Sequence, residues 1–174
     1  DFCLSRGLGD VYKRQDQDTI HGLGARKNED FLKLVEEGVQ AYEGSVQLLD
    51  AIRDRAAAAE KSPQIAIVSS SKNARPVLKA AGLLDRFEVV VDGKVASEKN
   101  LPGKPAPDTY LYGAQQLGAS AENAVVVEDA TSGVASGKAG KFGLVIGVDR
   151  GAGAEALHEH GADIVVDDLA DLLG

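Results

Sequence analysis

The sequence predicts an α/β fold, a Rossmann-like parallel sheet core flanked by helices, and three observations carry the prediction. Short β-branched runs such as 65–68 (IAIV) and 124–127 (AVVV) are bounded by turn residues, the signature of buried strands in a parallel sheet. From Ile65 onward the chain alternates strand, turn and helix signals, the rhythm of a parallel layer. Several apolar runs stop abruptly on hydroxyl or carboxylate side chains, and in open α/β sheets the crevice outside the carboxyl ends of the strands is where ligands bind.

Taken in order, residues 1–15 (DFCLSRGLGDVYKRQ) have neither helical nor strand periodicity. They resemble translated sequencing-adapter read-through and are expected to be a foreign scar outside the fold. Residues 22–28 (GLGARKN) read as a flexible basic loop, with Asn28 placed to cap a helix over 29–37 whose apolar side carries Phe31, Leu32, Leu34 and Val35. Gly38 ends it. A second helix is expected over 45–60, where Val46, Leu49 and Ile52 recur at helical spacing before an alanine run. The strand at 65–68 breaks into Ser69-Ser70-Ser71-Lys72-Asn73, and Asn73 is placed to cap a helix with Pro76 in its tolerated first turn. A strand over 87–91 closes on Asp92-Gly93, and a long loop to Pro107 leads to a helix over 108–117, capped by Asp108 and stopped by Gly118. The strand at 124–127 ends on Glu128-Asp129, after which Thr131 and Ser132 can cap a helix. Strands over 142–148 and 164–166 complete the layer, separated by a helix containing His158 and His160, which read as solvated surface residues.

Composition excludes several function classes. At 174 residues the chain is one ordinary domain, with room for a small appendage and a substantial core. A net charge of −8 and no cluster of Lys and Arg argue against nucleic acid or an anionic membrane as partner. The single cysteine, Cys3, cannot close an internal disulfide, and no Cys/His spacing suits zinc, so a reducing cytoplasm is the expected compartment. No apolar run approaches the roughly 18 residues of a membrane span.

Three motifs stand at or beside strand ends. Glu128 and Asp129 are adjacent carboxylates that repel one another unless a cation joins them, and Mg²⁺ suits such a place because it takes one or two carboxylates and completes its shell with water and phosphate oxygens. The same residues also read as an acidic strand-to-helix turn. Ser69 and its neighbours offer hydroxyls, backbone N–H groups and the Lys72 ammonium to an anion, or else form a serine-rich capping turn. In Gly103-Lys104-Pro105-Ala106-Pro107-Asp108 the prolines stiffen the approach to a helix, and a fixed lysine suits phosphate as a point charge, although a solvated lysine in a rigid turn has the same sequence.

Their order, Ser at one strand end, Lys-Pro before a helix and Glu-Asp at the next strand end, resembles the second, third and fourth motifs of the haloacid dehalogenase superfamily, in its beta-phosphoglucomutase-like branch of sugar-phosphate phosphatases and mutases. The loop 22–28 and Tyr42-Glu43-Gly44-Ser45 resemble that branch's helical cap and the entry back into its core, which implies a cap remnant over 16–43 and a Rossmann-like core over 44–174. The resemblance implies catalytic roles for Ser69, which would hydrogen-bond the transferring phosphoryl group, and for Lys104, which would neutralise it. It implies that Asp129, helped by Glu128, holds Mg²⁺. It further implies that Ser71, Lys72 and Asn73 grip a second phosphate, that Lys27 faces the substrate from the cap, and that the partner is a phosphorylated small molecule, a sugar phosphate, bound by a monomer.

The family's nucleophile is the first Asp of an Asp-x-Asp motif at the end of a central first strand, and it forms an aspartyl phosphate. Asp16-Gln17-Asp18-Thr19 has those letters, but Val11-Tyr12-Lys13-Arg14-Gln15 before it is no apolar strand, so the match reads as a decoy. The expectation is a parent enzyme truncated at its N-terminus, its central first strand missing, and a chain inactive in phosphoryl transfer. The alternative is a non-catalytic phosphate- or Mg²⁺-binding α/β domain.

Overall fold

The β-branched runs do become parallel strands. In the computed structural model, which describes residues 20–57 and 63–173, they are β1 (Ala66–Val68), β2 (Val89–Val91), β3 (Val125–Glu128), β4 (Leu144–Val148) and β5 (Ile164–Val166). The segment 1–15, Asp16-Gln17-Asp18 and the end of the expected second helix lie outside the described residues. Two parallel sheets form, β1-β2 and β3-β4-β5. Val68 pairs with Val91, Glu128 with Gly147 and Val148 with Val166, so every described strand runs the same way within its sheet. Among the described residues β1 and β3 each lack a strand on their second edge.

The helices are α1 (Ile20–Glu36), α2 (Glu43–Ala57), α3 (Ala74–Ala80), α4 (Gly93–Glu98), α5 (Asp108–Gln116), α6 (Thr131–Ala139) and α7 (Ala154–Glu159), with 3₁₀ turns at Leu84–Arg86, Ala121–Asn123 and Leu169–Leu173. Four expectations are corrected. Residues 22–28 are not a loop: they belong to α1, because helix propagation through one continuous segment outweighs about 1 kcal/mol per interior glycine. The long loop after β2 contains α4, whose N-cap Asp92 is buried and accepts from the backbone N–H groups of Lys94 and Val95. Pro107 and Ala130, not Asp108 and Thr131 or Ser132, are the N-cap residues of α5 and α6, and Asn73 caps α3 by position without a capping side-chain bond. The valines of β3 are buried on one face only. Val126 is buried under α6, while Val125 and Val127 are 54% and 41% exposed, as the two-residue period demands of an edge strand covered on one side.

Tyr110, Val126, Val134, Val145, Leu157 and Ala162 make one buried cluster, joined by Val68, Phe142 and Val165. Helix α5 packs on β1 and β2 and sends Tyr110 into this cluster, which ties the two sheets together. Asp163 clamps the neighbouring ends of β4 and β5, its N–H donating to the Val145 carbonyl at 2.8 Å and its carboxylate accepting the Val145 N–H at 2.8 Å. The chain divides into two compact units, Asp1–Val39 and Gln40–Gly174. In the first, α1 carries Lys33 beside Glu29 and Asp30 at 3.3 and 3.5 Å. Among the described residues no helix is long and apolar enough to cross a membrane.

Candidate active site

The second unit gathers its polar side chains at the carboxyl ends of β1 and β3. At the end of β1 the Ser69 N–H continues the ladder to the Val91 carbonyl at 2.8 Å, and the chain then turns on its own hydroxyls. Ser69 Oγ accepts from the Ser71 N–H at 3.2 Å and Ser71 Oγ from the Asn73 N–H at 3.1 Å. A hydroxyl that accepts in this way keeps its proton for another acceptor, such as a phosphate oxygen. Ser71 and Lys72 are exposed and Asn73 is half-buried.

Lys104 is brought to the same place by the turn before α5, through a cis peptide to Pro105. Its Nζ lies 3.5 Å from the Val68 carbonyl oxygen, 2.8 Å from Glu128 Oε2 and 4.6 Å from the centre of the Tyr110 ring. The Lys104 and Glu128 side chains are only 10% and 13% exposed, so each charge depends on the other. Tyr110 donates its hydroxyl to the same Glu128 oxygen. Burial, reinforced by the Glu128 charge, pushes the Tyr110 pKa well up, which keeps the phenol a protonated donor. Gly133, in the first turn of α6, lets Glu128 lie there: a Cβ at that position would stand 2.2 Å from the Glu128 carboxyl carbon.

Asp129 is the more open carboxylate, 49% exposed, with Arg150 Nη1 at 3.9 Å from its Oδ2. Arg150 comes from the loop after β4. Its guanidinium stacks over Tyr42, 3.8 Å from the ring centre, and Nη2 donates to Ser45 Oγ at 3.1 Å. Asp149 stiffens that loop by accepting from the Gly151 and Gly153 N–H groups, both at 3.0 Å, and these bonds hold its pKa below the ordinary value. For a cation the donor set is thin. Among the described residues no group of three or more Asp, Glu, His or Cys side chains converges on a metal-sized space. Glu128 commits Oε2 to Lys104 and Tyr110, whereas Asp129 fits Mg²⁺ held by one carboxylate and keeping most of its water.

Ser69, Lys104, Glu128 and Asp129, chosen from the sequence, thus stand at the carboxyl ends of two strands, and Lys104 touches the residue before Ser69 as well as Glu128. Lys27 is an exposed residue of α1 in the other unit. Sequence reasoning missed Tyr110, Gly133 and Arg150. The signal that singled out Ser69 and Asp129, a polar residue just past a strand, also marks Arg150. Tyr110 and Gly133 carry no such mark, since both look like ordinary helix positions.

The model of the haloacid dehalogenase-like hydrolases matches residues 5–141. A beta-phosphoglucomutase of Mycobacterium bovis is 46% identical over 161 residues, which cover 90% of this chain and 59% of the relative. The solved beta-phosphoglucomutase of Clostridium difficile superposes with a TM-score of 0.70 at 27% identity, over 84% of this chain and 59% of that one. A haloacid dehalogenase family hydrolase of Deinococcus radiodurans, solved with bound phosphate and sodium, gives a TM-score of 0.67 at 32% identity, over 93% and 70%. The chain spans less than two thirds of the length of the first curated relatives it matches. With parallel strands flanked by helices and three motifs at their ends, this chain belongs to the haloacid dehalogenase-like hydrolase family.

Proposed function

We propose that the protein takes part in Mg²⁺-dependent phosphoryl transfer on a sugar phosphate, as a beta-phosphoglucomutase-like mutase or phosphatase. One observation carries the reading: the Lys104 ammonium joins all three motifs, lying 3.5 Å from the carbonyl of the residue before Ser69 and 2.8 Å from Glu128, which adjoins Asp129. An ammonium flanked by hydroxyls and backbone N–H groups makes a site for a tetrahedral anion. The beta-phosphoglucomutase relative and the phosphate-bound neighbour support that anion's being phosphate.

In this reading Lys104 neutralises the phosphoryl oxygens and the Ser69 hydroxyl donates to one of them. Asp129 holds Mg²⁺, with the Glu128 charge beside it, and the ion when bound supplies positive charge to the transferring group. Ser71, Lys72 and Asn73 take a second phosphate, Lys27 is assigned to substrate binding, and the cap remnant is 16–43 and the core 44–174. The partner is a phosphorylated small molecule, the protein acts as a monomer, and the compartment is the cytoplasm. Lys104 and Ser69 stabilise charge but do not attack phosphorus, so the chain as given binds without turning over.

The test is phosphate binding together with turnover of β-glucose 1-phosphate in Mg²⁺, for the chain and for Lys104→Ala. Binding that Lys104→Ala removes, with no turnover by either, is the expected result. Turnover abolished by Asp16→Ala or Asp18→Ala would overturn the claim of inactivity, and binding indifferent to Lys104 would overturn the site.

A further inference from the structure

Tyr110 has no part in the three motifs or in the roles assigned above, yet it touches both members of the charge pair at the centre of the site. The ring is buried and packs edge-on against Phe142, with centres 6.0 Å apart and planes at 70°. For that packing a phenylalanine would serve, so the core does not account for the hydroxyl. The hydroxyl donates to Glu128 Oε2, the oxygen that Lys104 Nζ reaches at 2.8 Å, and the ring face lies 4.6 Å from the same ammonium. One side chain therefore holds the acid by a hydrogen bond and the base by the negative face of its ring. Among the described residues Glu128 sits at the end of an edge strand, next to the half-exposed Asp129, and its carboxylate accepts side-chain hydrogen bonds from Lys104 and from the Tyr110 hydroxyl.

We propose that Tyr110 is a positioning residue of the phosphate site: its hydroxyl pins the Glu128 carboxylate so that the Lys104 ammonium stays at the carboxyl end of β1, beside Ser69. The proposal rests on the phosphate-site reading and adds to it a residue that touches neither substrate nor metal.

The experiment compares the whole chain with Tyr110→Phe, Glu128→Gln and the double variant, with inorganic phosphate as the probe. Tyr110→Phe keeps the ring and its contact with Phe142, and the thermal transition of each variant checks that it folds. Tyr110→Phe should weaken phosphate binding about five- to tenfold, less than the full worth of a hydrogen bond to a charged acceptor because the loss reaches phosphate only through Glu128 and Lys104. In the Glu128→Gln background the same change should cost no more than about twofold, because the amide can still accept from the Tyr110 hydroxyl but no longer holds the Lys104 ammonium by charge. A purely structural role predicts the same loss in both backgrounds, and that result would overturn the proposal. A second readout is the ¹⁵N-lysine spectrum, in which the held Lys104 ammonium should give a resonance protected from water exchange that Tyr110→Phe removes. If the chain takes up no phosphate, the functional reading fails by itself, and the ammonium resonance still decides the matter: its survival in Tyr110→Phe would refute the role of Tyr110.

Discussion

Removing the carboxylate of Glu128 tests how far the site is held together by one buried pair. Breaking such a pair from one side costs about 3–5 kcal/mol when both partners are fully buried. Lys104 and Glu128 keep 10% and 13% exposure, and after Glu128→Ala the ammonium still has the Val68 carbonyl and the Tyr110 ring, which lowers the figure. Against that, the Tyr110 hydroxyl loses its acceptor, and an unsatisfied buried donor costs about 1–3 kcal/mol. The net expectation is a loss of about 3 kcal/mol. In urea, with a slope of about 2 kcal/mol/M, the midpoint should fall by about 1.5 M at unchanged slope. Lys104→Met should cost somewhat less, because Glu128 keeps Tyr110 and is nearer solvent. Lys104→Met combined with Glu128→Leu should cost far less than the two single changes added together, since no unpaired charge then remains. A midpoint shift below about 0.5 M for Glu128→Ala, or strict additivity in the double variant, would refute the view that the pair is mutually dependent.

The Asp163 carboxylate is held below its ordinary pKa of 3.8, first by the Val145 N–H and then by Lys138 at 3.4 Å. A depressed carboxylate contributes stability above its unfolded pKa and loses it as pH falls through the folded value, so acid unfolding should begin at higher pH and urea midpoints near pH 3 and pH 6 should differ less in Asp163→Asn than in the unaltered chain. An unchanged difference would show that the bond contributes nothing. At Asp129 the Arg150 guanidinium, 3.9 Å away, opposes an incoming cation by about 1 kcal/mol if the pair is solvated. Arg150→Gln should therefore bind Mg²⁺ about fivefold more tightly by calorimetry, and equal or weaker binding would count against Asp129 as the cation's ligand.

By itself the sequence determined the class of fold and the strand ends at which the candidate site residues lie. β-Branched runs of strand length bury against helices whichever helices those are, and a polar residue ending such a run lies at the carboxyl edge of the sheet. That logic puts Ser69, Glu128 and Asp129 at strand ends, where the structure has them, and the stiff Lys-Pro turn brings the Lys104 amine beside them. What the tertiary structure decided was everything that depends on distant segments meeting. Whether Val125 and Val127 are covered depends on what lies over the second face of β3, which no local pattern states. Residues 22–28 are helical because they continue one helix, a cooperative gain that overrides the local preference of two glycines. The division of labour between Glu128 and Asp129 is likewise tertiary. The two are neighbours in sequence and alike in chemistry, but one faces an ammonium from 24 residues away and a phenol from 18 residues away, and the other faces solvent and Arg150. Glu128 is the last residue of β3 and Asp129 the first beyond it, so two like charges enter different surroundings. Pairing across such separations is a property of the folded layer, and it brings Tyr110 and Gly133, unremarked in the sequence, against the Glu128 carboxylate.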